Sequence, residues 1–405
     1  MGRGCYGIGV YRCLWLVVPA LGCVARPFGD ADGSASDATT TGVDPSNMSG
    51  ETGDGGQGEP AEPVDGPCAP PCEDPWELNG DLVIDLWSFE GEDFSPFACL
   101  TAVHGDLSIS DKRDLPPGQL AHFRHLEQVD GTLRLQGLER PTDLSAFRCL
   151  REVDTLSIFD MRAVVDASLP NLRWAPHVDL DFLDVLPSFA PDFAGLSTLD
   201  ISFSAVADLS GAASWRSLGD VEVRLYGLDV TDLRGIEGLV AGSPKVVELS
   251  ELSLTSLRGL ETITEPGRFW LFDLGALTDI SALSGITRAG TIGLSWLPSL
   301  TTHVGLHNLE AVESLLLGDC GTDAPQSPAP DLSGFESLLE VDTLDLHITG
   351  LTSLTGAPKL KSVRALSLHQ NPGLSQAAID AFLAQLAAPP ESVDILLYCS
   401  NGGHE

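Results

Sequence analysis

The sequence predicts a β-rich α/β solenoid, an array of about 14 short parallel strands joined by tight turns. Two patterns predict it. Segments of the form apolar-x-apolar recur at intervals of 21 to 29 residues, and many are preceded by a stretch in which an apolar residue falls at every third position. A third observation closes the array: after the repeats comes one segment with the apolar spacing of an amphipathic helix.

The strand segments begin at Leu82, Leu107, Leu133, Leu156, Val178, Leu199 and Val223, then at Val247, Phe269, Ile292, Leu315, Leu344, Leu366 and Ile395. Successive side chains of a strand face opposite ways, so the outer two residues of each triplet share one face and the middle one has the other. Three residues are too few to hold a strand alone. Neighbours must therefore stack in register and pool their alternate apolar positions as one core. At about 4.8 Å per hydrogen-bonded strand the stack would be roughly 65 Å long. The period-three stretches, such as Asp143-Leu144 to Val153 and Asp331-Leu332 to Val341, suit 3₁₀ or irregular turns with an apolar edge against the strand wall.

Solenoid ends expose core and need caps. Ser375 can cap a helix over residues 376–388 that puts Ile379, Phe382, Leu383 and Leu386 on one face. At the other end, Cys68 and Cys72 precede the first strand. Cys99 and Cys149 hold matching places two rungs apart, roughly 10 Å, beyond the reach of an unstrained disulfide. Cys72, or Cys68, is therefore expected to pair with Cys99.

Charge narrows the partners. The chain has 22 Lys and Arg against 58 Asp and Glu, a formal charge of −36, so no nucleic-acid partner is expected. The same charge repels anionic lipid headgroups, and attachment to a membrane would need a covalent anchor. Arg3 and Arg12 followed by the apolar run Leu14 to Leu21 have the layout of a signal peptide, too short to span a bilayer. Ala20-Leu21-Gly22-Cys23 resembles the lipobox of bacterial lipoproteins, which implies lipidation of Cys23 after cleavage at 1–22. Ala20 departs from the leucine that the motif most often carries there. Residues 23–67 carry nine acids and one base, Arg26, with almost no large apolar side chains, and predict a disordered acidic stalk. Within it, Gly53 to Gly58 matches a dinucleotide fingerprint but has no strand before it and no helix after it. The solenoid is assigned to 68–371 and the C-terminal cap to 372–405.

Asn79-Gly80-Asp81-Leu82, Val103-His104-Gly105-Asp106-Leu107 and Val129-Asp130-Gly131-Thr132-Leu133 resemble the glycine-then-strand signature of receptor L domains across about residues 78–371. The resemblance implies a leucine-rich-repeat, L-domain-like right-handed array and a ligand-binding role. The asparagine common after the strand of leucine-rich repeats stands only at Asn371, which favours the L-domain variant.

Catalytic motifs are missing: the sequence has no metalloprotease helix motif, nucleophile elbow or phosphate loop. Neither catalysis nor any cofactor is expected. His122 with His125, and His303 with His307, have helix-compatible metal spacings but lack a third ligand nearby. The middle strand residues form the open face. There Asp179 and Asp200 fall on consecutive rungs, near enough to repel unless a cation, an arginine or a ligand donor intervenes. Trp270, Gly293 and Leu316 follow on the same face, with Trp296 just beyond, a cluster of a kind that often marks a partner or sugar surface. Phe182 and Phe203 are read as inward-facing core. These features predict a lipid-anchored envelope protein, on the outer membrane or cell surface, that displays a solenoid for a protein or glycan ligand. Two alternatives stand beside it. One is a carbohydrate-active enzyme on a parallel β-helix using Asp179, Asp181 and Asp200, and the other is a structural envelope protein.

Overall fold

In the computed structural model the segments stack as parallel strands of one sheet, and a path of fourteen strands runs through it in chain order; twelve of these are the expected segments from Leu133 onward, and the segments at Leu82 and Leu107 lie beside its start. The structure describes residues 72–396 apart from 86–92, 111–117, 139–141, 162–163, 167, 184–187, 190–192, 205, 319–328 and 348–349, together with residue 68. The expected signal peptide, the lipidation site at Cys23 and the stalk lie outside the described residues.

Register follows the apolar pattern. Leu156 pairs with Val178, Val178 with Leu199, Leu199 with Val223, and Val223 with Val247. The column continues through Phe269, Ile292, Leu315, Leu344 and Leu366, each opposite the next. All of these residues are at least 98% buried and belong to one continuous core. Truncating any one of these leucines to alanine carries the usual cost of a core cavity, about 2–5 kcal/mol.

The first rungs are kinked. The strands Trp76–Asn79 and Leu82–Asp85 stack on Leu100–His104 and Leu107–Ser110, and both columns merge in the long strand Gln128–Gln136. At each kink the aspartate of one rung accepts from the backbone of the next: Asp106 N–H donates to Asp81 Oδ1 at 2.9 Å, and Thr132 N–H to Asp106 Oδ1 at 2.7 Å. A Cβ at Gly131 would lie 2.2 Å from Asp106 Oδ1, which is why glycine precedes the strand in this signature.

The opposite wall is made of consecutive three-residue turns. Ile236 N–H donates to Leu233 O and Leu239 N–H to Ile236 O; Leu306 to His303 and Leu309 to Leu306, and Phe335 to Leu332 and Leu338 to Phe335, repeat the pattern. Each turn brings an apolar residue inward every third position, as the sequence spacing requires.

The N-terminal end meets the sequence expectation and the C-terminal end differs from it in detail. Cys72, not Cys68, pairs with Cys99, with Cα atoms 5.6 Å apart, and Trp76 N–H donates to Cys99 O at 3.1 Å beside it. The C-terminal helix is Gln376–Gln385, three residues shorter than expected at its end, because Leu386 takes an extended backbone with ψ of 148°. Ser375 caps it by accepting from Ala378 N–H at 3.2 Å. The helix stands in the turn wall of the last rung: Gln385 donates to Ala357 O, and Ala387 N–H to Lys361 O. The last strand is Ser392–Leu396, where Val393 pairs with Leu366 and Ile395 with Leu368, so the final triplet starts two residues before Ile395. Val393 and Ile395 remain 43% and 45% exposed, since among the described residues no further rung covers them.

Candidate functional site

The open face of the sheet carries three outward columns. The central one runs Asp179, Asp200, Arg224, Glu248, Trp270, Gly293, Leu316, Asp345, each in register with the next. Four of the five sequence-selected face residues, Asp179, Asp200, Trp270 and Leu316, therefore share one ladder. Arg224 does not stand between Asp179 and Asp200 but beside Asp200 on the next rung, and although burial opposes its charge, Glu222, Glu248 and then Asp200 hold the guanidinium charged.

Arg224 centres a network of ion pairs. Its Nη2 lies 2.7 Å from Glu222 and its Nε 3.1 Å from Glu248, while Lys245 reaches Glu222 at 2.5 Å and Arg268 reaches Glu248 at 3.0 Å. Lys245 first, then Arg224, hold the Glu222 carboxyl below its usual range. Arg268 also lies over the Trp270 ring, 4.7 Å from its centroid. The indole in turn covers Gly293, where a Cβ would fall 2.2 Å from Trp270 Cε3. Trp270 is thus fixed between a cation and a bare stretch of backbone, flat against the sheet.

A second surface follows the edge where the strands end. Chain direction changes there through one left-handed residue per rung: Asp160, Phe182, Phe203, Glu251, Asp273 and Trp296 have φ between 43° and 56°, and glycine holds the place at Gly137 and Gly227. This corrects one inference. Phe182 and Phe203 are not core: Phe203 is 47% exposed and Phe182 partly so, because the left-handed residue breaks strand alternation and swings its side chain out along the edge. Trp296 stands on this edge directly after its strand, where the sequence reading put it, resting on Phe272 at 6.0 Å between ring centroids.

The edge is aromatic for four rungs. Phe159 meets Phe182 edge to face at 5.9 Å, Phe182 stacks on Phe203 at 5.3 Å, and Phe203 meets Tyr226 edge to face at 4.6 Å. Carboxylates border the row. Burial raises the Asp181 pKa, with the Asp200 and Asp160 charges adding, although Ser202 donates to it at 2.9 Å. Tyr226 donates to Glu251 Oε1 at 2.5 Å, and its own pKa is pushed up to about 12, by burial first and then by that bond. Sequence periodicity missed the row, although an aromatic three or four residues after the start of each of four successive triplets was a signal for it.

One member of each histidine pair is packed into the turn wall. His303 is 2% exposed, its ring tilted against Phe335 at 5.2 Å, and His125 is 8% exposed beside the Arg124 Nε at 3.3 Å. Among the described residues no three His, Cys, Asp or Glu side chains form a group that could hold a metal ion.

No protein-family model matches the chain, and neither a curated protein nor a solved structure matches it either.

Proposed function

We propose that this protein is an exported, lipid-anchored envelope protein whose solenoid recognises a protein or glycan ligand, without catalysis or cofactor, in the manner of receptor L domains. The observation that carries the reading is the aromatic row Phe159, Phe182, Phe203 and Tyr226, set rung by rung on a stiff ladder with Phe203 nearly half exposed. Apolar rings held at a solvent edge among carboxylates offer contact area at little cost in ordering entropy, which suits binding. The lipobox-like Ala20 to Cys23 supports the anchor, and the acidic segment 23–67 suits a stalk that lifts the solenoid from the lipid.

Two measurements test this. The intact mass of the protein recovered from membranes should correspond to a chain beginning at Cys23 with added acyl groups; a mass beginning at Met1 would refute the anchor. Protein and glycan arrays should show a ligand whose capture falls at least tenfold in the Phe203→Gly and Trp270→Ala variants. Equal capture by all three would leave the structural-protein alternative, and polysaccharide cleavage abolished by Asp200→Asn would establish the enzyme.

A further inference from the structure

Cys99 and Cys149 stand at one corner, two rungs apart, each two residues beyond the phenylalanine that closes a tight turn, Ser95–Phe97 and Leu144–Phe147. Cys72 bonds Cys99, and its Sγ lies 3.9 Å from Ala98 O, the carbonyl immediately before Cys99. The equivalent carbonyl at the second corner is Arg148 O. It accepts a 2.6 Å hydrogen bond from Asn171 Nδ2, and the same amide nitrogen lies 3.6 Å from Cys68 Sγ. Peptide geometry then puts the Cys68 sulfur within about 9 Å of the Cys149 Cα. The spacing agrees as well: four residues reach at most about 14 Å, and two rungs cover roughly 10 Å.

We infer that Cys68 and Cys149 form a second disulfide, so that two cysteines four residues apart in the chain are bonded to corners two rungs apart. The structure holds both as thiols, with Cys68 partly exposed and Cys149 1% exposed. That difference orders the chemistry. The Cys68 thiolate attacks a disulfide oxidant, either oxidised glutathione or a protein dithiol oxidase, and expels one thiolate. The Cys149 thiolate then attacks Cys68 Sγ, with the Asn171 amide turned aside, and expels the second. Two electrons and two protons leave the chain, and two thiols form on the oxidant side. The inference concerns the folded chain and does not depend on the export reading.

The test is full-length protein reduced with dithiothreitol, reoxidised with glutathione, alkylated, and digested with trypsin and a glutamate-specific protease without reduction. Cleavage after Glu51 and Glu73 isolates Cys68 with Cys72, and cleavage after Arg148 and Arg151 isolates Cys149. The expected product joins three peptides, those of Cys68/Cys72, Cys99 and Cys149. In the Cys72→Ser/Cys99→Ser variant, which removes the first bond, two peptides should remain joined through Cys68 and Cys149. The Cys68→Ser variant should keep Cys72–Cys99 and melt on the order of 5 °C lower under oxidising conditions only. Recovery of Cys149 alkylated, or joined to Cys320 or Cys399 instead, overturns the inference.

Discussion

Phe182 and Phe203 stack face to face across neighbouring rungs, their ring centroids 5.3 Å apart and their planes within 11°, and both hold left-handed backbones with φ of 52° and 43°. A phenylalanine in that conformation costs on the order of 1 kcal/mol, which glycine at the equivalent Gly137 and Gly227 avoids.

The Phe203→Gly variant should therefore lose the ring contacts, about 1 kcal/mol, and regain a similar amount from relaxed backbone. Its urea midpoint should stay close to that of the unaltered protein while ligand capture falls. A loss of stability above about 3 kcal/mol would show that the ring is core after all.

Gly293→Val should dislodge the Trp270 indole, since a Cβ at that position meets Trp270 Cε3 at 2.2 Å. The Arg268 contact at 4.7 Å would break with it. Strain of about 1–3 kcal/mol and a changed near-ultraviolet dichroism of tryptophan are expected. An unaltered spectrum would mean that the indole does not lie on the glycine.

His303 occupies the wall position held by Ile280 and Leu332 on either side, and burial pulls its pKa down to about 4, only partly opposed by Asp331. The folded ring is neutral, so as pH falls below the ordinary 6.5 the unfolded chain takes up the proton first. Stability from this group is complete above about pH 6.5 and is lost progressively down to about pH 4, by roughly 3 kcal/mol in all. His303→Leu should abolish that part of the acid slope and raise the urea midpoint at pH 5 more than at pH 7. Identical slopes for the two proteins would refute the assignment.

Arg224→Met leaves Glu222 and Glu248 facing Asp200 without the guanidinium at 2.7 Å and 3.1 Å. The groups are partly exposed, so the expected loss is about 1 kcal/mol at low salt, shrinking as salt rises. Glu222 is held below its usual pKa, so its contribution is present above the ordinary carboxylate range and fades as the pH drops through the lowered value. The variant should fade less. Salt titration of the urea midpoint at pH 7 and pH 4 measures both effects.

Much of this was legible before any coordinates. The triplets at Leu156, Val178 and Leu199 gave the register, because a period of two leaves one way to bury both outer residues. The acidic ladder Asp179 to Asp200 and the stapled Cys99 followed from counting rungs. Phe182 and Phe203 were misread because alternation was carried one step past the strand, into a residue whose dihedral angles depend on the corner.

Chain chemistry alone determined the stack: apolar residues at alternate positions, repeated at nearly constant spacing, have no other water-free arrangement. Tertiary structure decided what stands at the corners. Whether the residue after a strand turns left-handed, whether a histidine joins the leucines of the wall, and whether Cys68 or Cys72 meets Cys99 depend on atoms contributed by neighbouring rungs, and contacts between residues far apart in sequence leave no periodic trace in it.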